Sequence, residues 1–146
     1  MKRLLIALVL AATVHPANGG AGKVRYPFVS PLQIIDATHF QRRNAAEIEV
    51  FILSRTSGGL LTFYLNGQPV AKLSGGEAIR LYLSPGRYRF GVIPFSHVVL
   101  SSMWEMNADV KRNAPRFYRI FQSSGFTSSG GNAVYEIAPL KNAEAQ

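Results

Sequence analysis

"RLYLSPGRYRFGV", residues 80–92, sets a Pro-Gly pair between two runs in which large apolar residues alternate with arginines. Period-two alternation marks a strand with one buried face and one wet face. Folding the stretch about Pro85-Gly86 predicts a hairpin in which Ser84 faces Arg87. The pairs outward are then Leu83–Tyr88, Tyr82–Arg89, Leu81–Phe90 and Ile79–Val92. Every pair on one face is large and apolar, while the other face carries Arg80, Tyr82, Ser84, Arg87 and Arg89. A slip of one residue would mix the two faces, so the register is strongly specified. Pro-Gly favours a type II turn, whose twist suits a tight hairpin less well than the primed turns, and a bulge is compatible with it.

The flanks extend the same pattern. "IEVFILSR" (48–55) is a near-continuous apolar run, as in a central strand buried on both faces. "LLTFYLNGQPVAKL" (60–73) alternates around Asn66-Gly67, a strong hairpin signal, and Pro69 assigns its second arm to an edge or a short strand. Further strands are expected within 99–110, 116–123 and 134–140. Along 99–110, Trp104, Met106, Ala108 and Val110 share one face and point to the core. Along 116–123, Tyr118 and Ile120 share one face and Phe117, Arg119 and Phe121 the other, so one aromatic set is exposed or covers an edge. No helical layer able to cover a parallel sheet is found. The fold class is all-β: an antiparallel β-sandwich of seven to eight short strands over residues 48–140. Residues 23–47 form an N-terminal arm with Pro27 and Pro31, a short strand at Leu32–Ile35 and a short helix capped by Asp36 or Thr38. Residues 141–146 are a frayed tail.

The 146 residues suit a single domain, and with 47% hydrophobic and 16% charged residues the chain is globular rather than disordered. Residues 1–22 read as a signal peptide: Lys2 and Arg3, an apolar run from Leu4 to Val14, then small residues including Ala17 and Gly19. That run is well short of the roughly 20 residues a membrane span requires. The mature chain is expected in the periplasm or outside a bacterial cell, with no transmembrane segment. It holds no cysteine, so packing alone must stabilise it where disulfides are otherwise available. Losing Lys2 and Arg3 lowers the formal charge from +8 to +6. Outside the cytoplasm the polyanions are lipid head groups and anionic glycans, and no nucleic acid partner is expected.

Motifs for chemistry are sparse. His39 and His97 are far apart, with no cysteine and no paired spacing, so no metal or other cofactor is expected. No serine sits in a Gly-x-Ser-x-Gly elbow. Asp36 near His39 is explained by helix capping, and Glu105 with Asp109 by an exposed strand face. The glycine-rich "SSGFTSSGGN" (123–132) lacks the Gly-Lys-Ser/Thr ending of a phosphate loop and reads as a hairpin loop.

Three segments carry a resemblance. "FYLNGQPVAKL" resembles the strand–Asn-Gly–strand unit of PEGA-type surface domains, and "GEAIRLYLSPGRYRFGV" resembles its continuation. "ADVKRNAPRFYRI" resembles the segment that follows in bacterial envelope domains of this layout, often lipoproteins. Together these span residues 48–123. The resemblance implies a small envelope β-sandwich without established catalytic residues; the lipidation cysteine of many such proteins is missing here.

The function expected is that of a non-catalytic envelope module that binds another envelope component, a protein first. An electrostatic binder of anionic glycan or lipid head groups is the second expectation, and an envelope hydrolase the third. The candidate binding residues are the cationic hairpin face: Arg80, Tyr82, Arg87 and Arg89.

Overall fold

The computed structural model describes residues 26–57, 59–95, 103–123 and 134–140. The expected signal peptide, His97, nearly all of the loop after Ser123 and the tail at 141–146 lie outside the described residues. The strands are β1 (Ile48–Arg55), β2 (Leu60–Leu65), β3 (Gln68–Ser74), β4 (Ala78–Leu83), β5 (Gly86–Pro94), β6 (Trp104–Val110), β7 (Phe117–Ser123) and β8 (Val134–Pro139). They form two four-stranded sheets, ordered β4-β1-β7-β8 and β3-β2-β5-β6. The expected β-sandwich is the fold. One pair departs from antiparallel order: β1 and β7 run parallel, Phe51 aligned with Phe117 and Ile52 with Tyr118.

Alternation along each strand fills the space between the sheets. Val50, Ile52, Ile79, Leu81, Leu83 and Ile120 point inward from one sheet, and Leu61, Phe63, Leu73, Phe90 and Val92 from the other; all are buried. Phe90 bridges the layers, its ring 5.7 Å from Phe63 and 5.0 Å from Tyr118 at right angles. Trp104 closes the β6–β8 side against Tyr135, ring centres 5.2 Å apart.

The β2–β3 hairpin turns at Asn66-Gly67 as expected, both with positive φ (52° and 82°), the signature of a type I′ turn. β3 is an edge strand, and a register shift beside Pro69 sets Val70 in a bulge. The Pro85-Gly86 stretch does not form the expected hairpin. β4 pairs with β1 and β5 pairs with β2 and β6, so the chain arches from one sheet to the other. Gly86 has no positive φ and is already the first residue of β5. Leu81 and Phe90 are both buried, but in opposite layers, and the expected Leu81–Phe90 strand pairing is replaced by Val50↔Leu81 and Leu65↔Phe90. An arch and a hairpin obey the same inward–outward alternation, which is why the pattern fits either.

The arm closes the side where edge strands β3 and β4 meet. Phe28 bridges Ala78 in parallel and Ile34 bridges Ala71 antiparallel, so the arm covers both edges. The strand expected at Leu32–Ile35 is instead a 3₁₀ turn, Pro31–Gln33, because Pro31 sits at its first position and Gln33 Oε1 reaches back to Ser30 N–H at 2.8 Å. The short helix is a single 3₁₀ turn, Ala37–His39, with Asp36 accepting from Thr38 N–H at 2.9 Å. The carboxyl of Asp36 is held below its ordinary range by these Thr38 bonds, the hydroxyl first.

Glu47 ends the arm as a buried carboxylate, its oxygens accepting from Arg43 N–H at 2.6 Å and Arg43 Nε at 3.1 Å. The backbone bond from Arg43, above all, keeps this carboxyl below its ordinary range. A depressed folded-state value means that its contribution to stability is full above the unfolded value, about 4.3, and is lost as pH falls through the lower folded value. Glu47→Gln should therefore narrow the stability gap between neutral and acidic pH. Urea melts at pH 7 and pH 3 read it; equal pH dependence in both proteins would remove Glu47 from the acid response.

The turn between β3 and β4 supplies a sharper test. A Cβ on Gly75 would lie 2.1 Å from the Thr56 carbonyl oxygen, whereas one on Gly76, φ +85°, meets nothing within 4 Å. Gly75→Ala must move backbone and should cost about 1–3 kcal/mol, as overpacking does. Gly76→Ala carries only left-handed strain, about 1–2 kcal/mol. Thermal melts should rank Gly75→Ala as the less stable; the reverse order would place Thr56 elsewhere.

Candidate functional site

The arch separates the four candidate residues. Arg80 and Tyr82 stand on the outer face of the β4-β1-β7-β8 sheet, and Arg87 and Arg89 on the outer face of the other, across the full thickness of the sandwich. The single cationic face expected from a hairpin is not formed. Each arginine also has a carboxylate: Arg87 Nε lies 3.3 Å from Asp109, Arg89 Nε 3.6 Å from Glu105 and Arg80 Nε 3.3 Å from Glu49. Tyr82 OH donates to Glu49 at 3.3 Å, so this tyrosine helps to hold the Arg80 partner. Around β5 and β6 the charges thus form cross-strand pairs, the ordinary dress of an outer sheet face.

The outer face of the β4-β1-β7-β8 sheet is different. Its residues fall into rows set by register. Arg80, Phe51 and Phe117 share one row, and Ala78, Leu53, Arg119 and Ala138 the next. Arg55, Phe121 and Glu136 make a third. Phe51 and Phe117 stack with ring centres 4.8 Å apart and planes within 8°. Phe28 from the arm adds a third ring 6.4 Å from Phe51. The Arg80 guanidinium lies 4.7 Å from the Phe28 ring centre and 5.4 Å from that of Phe51. Arg119 sits 4.9 Å from Phe121 and Arg42 5.3 Å from Tyr82. Arg55 lies over Tyr26 and donates to its hydroxyl. Tyr26 and Phe117 also cover Leu53, Ala78 and Leu140, which is why Leu53 is buried on an outer face.

Half-exposed rings interleaved with guanidinium groups are an uncommon outer surface for a sheet, and such contacts fix the long arginine side chains in place. The Nε atoms of Arg80 and Arg119 are buried and have no hydrogen-bond acceptor. Glu49 is near Arg80 but out of line, while Arg119 has no carboxylate within ion-pair distance among the described residues. A buried donor without an acceptor costs about 1–3 kcal/mol, a cost this face carries at both arginines.

Part of this face was legible. The alternation of Phe117, Arg119 and Phe121 against Tyr118 and Ile120 flags two aromatic sets, and the structure turns Tyr118 and Ile120 inward. Phe51 was hidden inside a run read as buried on both sides. Phe28 and Arg42 lie in the arm, where no periodicity indicates which sheet they meet.

The other residues weighed for chemistry have structural partners. Asp36 caps the turn at Thr38, and Glu105 and Asp109 hold arginines. Among the described residues, no group of three or more His, Cys, Asp or Glu side chains gathers as a metal site would, and no helix is long and apolar enough to cross a membrane. Comparisons with protein-family models, curated proteins and solved structures find no match for this chain.

Proposed function

We propose that this chain is a non-catalytic binding module of a bacterial cell envelope, and that it docks a partner protein on the outer face of the β4-β1-β7-β8 sheet. The observation that carries the reading is the Phe28–Phe51–Phe117 ladder with Arg80 held between its rings. Aromatic and arginine side chains, fixed in advance and partly desolvated, are the groups that dominate protein interfaces. The placement in the envelope rests on the signal-peptide pattern of residues 1–22 and on the resemblance to PEGA-type surface domains. The electrostatic reading has less support than the protein one, because the arginines expected to make one cationic face are split between two faces and each lies beside a carboxylate.

A photo-crosslinking amino acid placed at Phe28 or Phe121, in the cells that make the protein, tests this. One partner protein should be captured from both positions, and none from Tyr64 on the opposite outer face. Equal capture from both faces, or no protein adduct at Phe28 and Phe121, would overturn the assignment.

A further inference from the structure

We infer that the partner contributes an acidic peptide segment to this face, its carboxylates pairing with Arg119 and Arg80 while its apolar side chains lie along the edges of Phe28, Phe51, Phe117 and Phe121. This inference rests on the protein-docking reading above and names the chemistry of what is docked.

The first argument is the unpaired guanidinium. Arg119 forms no ion pair among the described residues, and its guanidinium is positioned over Phe121 rather than collapsed onto a carboxylate. Four arginines, Arg42, Arg55, Arg80 and Arg119, meet rings on this sheet's outer side, against the carboxylates of Glu49 and Glu136. A carboxylate satisfies a guanidinium through two parallel bonds, which a neutral carbonyl cannot do.

The second argument favours an acidic partner over another copy of this chain. The formal charge is +8, or +6 without Lys2 and Arg3, so two copies repel. Nearly all of the acidic groups in the described residues are already engaged. Asp36 caps Thr38, Glu47 binds Arg43, Glu49 binds Arg80 and Tyr82, and Glu77 accepts from Gln33 and Ser74. Glu105 and Asp109 hold Arg89 and Arg87. Glu136, exposed in the row of Phe121, is then the one described carboxylate a second copy could bring to this face, against four arginines.

The third argument favours peptide over glycan. Sugars stack on the flat face of an exposed ring. Here Phe51 and Phe117 sit on adjacent strands and face each other at 4.8 Å, the strand spacing itself, so the faces they turn to each other are covered and the stack stands edge-on to the sheet. Ring edges flanked by guanidinium groups suit a segment whose every second side chain is in turn apolar and acidic, since only these share one face. The backbone positions of Arg80 and Arg119 are two strands and two residues apart, about 12 Å. That matches carboxylates about four residues apart on an extended segment.

The test uses the full chain and a synthetic peptide in which glutamate and leucine take turns at every second residue with serine between them, titrated by calorimetry beside its glutamine-for-glutamate counterpart, polygalacturonate and phosphatidylglycerol vesicles. The acidic peptide should bind at least tenfold more tightly than its glutamine counterpart. Arg119→Gln should weaken it at least tenfold, and Arg119→Lys by less, since the charge remains and the planar fork is lost. The double variant Arg87→Gln with Arg89→Gln should stay within about twofold of wild type, although it removes two charges rather than one. Melting curves confirm folding; should Arg119→Gln fail to fold, Arg119→Lys and Arg80→Gln carry the comparison. Equal weakening by the Arg87/Arg89 variant would reduce the effect to net charge and overturn the inference. Tighter binding of polygalacturonate or of the vesicles would overturn it in favour of a glycan or a lipid. Unchanged crosslinking from Phe28 in an Arg119→Gln background would leave protein docking standing and remove only the carboxylate assignment. Loss of all crosslinking in the wild-type chain would instead remove the docking reading itself.

Discussion

Truncating Phe90 to alanine should destabilise the protein by about 3–5 kcal/mol, the range for a large aromatic removed from a packed core. Phe90 is fully buried on β5, paired with Leu65 on one side and Met106 on the other. Its ring touches Phe63 within its own sheet and meets Tyr118 of the opposite sheet at 88° and 5.0 Å. The side chain therefore joins the two layers, and neighbours anchored on both sheets cannot collapse inward to fill the gap. Each aromatic pair adds about 0.5–1.5 kcal/mol beyond burial. Phe95→Ala, at the mostly exposed residue directly after β5, is the control and should change stability by less than about 0.5 kcal/mol. Urea denaturation of both variants decides it. A Phe90→Ala cost below about 1 kcal/mol would mean that the sheets do not meet at this ring.

The contrast between Phe90 and Phe95 belongs to what the sequence makes legible. Period-two alternation specifies which side chains turn inward, and Leu81, Leu83, Phe90 and Val92 are all buried as that pattern requires. Tyr88, expected among them, is only half-buried, and its hydroxyl donates to the Ser84 carbonyl at 2.9 Å. Burial there raises the phenol above its ordinary range. Alternation does not specify which sheet a strand joins. Asn66-Gly67 does, because two adjacent residues with positive φ bring the next strand back beside the last. Pro85-Gly86 carries no such restriction, so β4 and β5 satisfy their patterns in separate layers.

That single ambiguity moved the site. With a hairpin, Arg80, Arg87 and Arg89 share one surface; with an arch, they divide between two. The surface that replaces it is assembled from distant pieces: Phe28 of the arm, Phe51 of β1, Arg80 of β4, and Phe117 and Arg119 of β7. The parallel β1–β7 pairing that aligns Phe51 with Phe117 is a long-range contact with no local signature. Residue types along each strand were readable, and their juxtaposition was not.

The arm is the other long-range element, and Val29→Asp should reveal how firmly it is docked. Val29 is buried in the main core and its N–H donates to Ala78 O at 3.0 Å, while Ala78 N–H donates to Pro27 O at 3.0 Å. Farther along, Ile35 and Asp36 both donate to Val70 O, at 2.8 and 3.1 Å, which occupies the bulge of β3. An unpaired carboxylate forced into the Val29 position costs about 3–5 kcal/mol if the arm stays in place. The chain has a cheaper alternative when peeling the arm costs less than that, so the measured loss is the smaller of the two quantities. Peeling uncovers the edges of β3 and β4, whose free backbone groups then recruit further chains. The expected result is a loss of up to about 3–5 kcal/mol in urea melts, new protease cleavage within residues 26–43 and self-association on sedimentation. Val29→Ala, which deletes two methyl groups without adding charge, should show a smaller loss and no new cleavage. A Val29→Asp protein that melts like wild type and resists protease would mean that the arm does not close this side of the sandwich. Peeling of the arm in Val29→Asp would also detach Phe28 from the ladder, so crosslinking from Phe28 in that variant should fall even though β1, β4 and β7 remain folded.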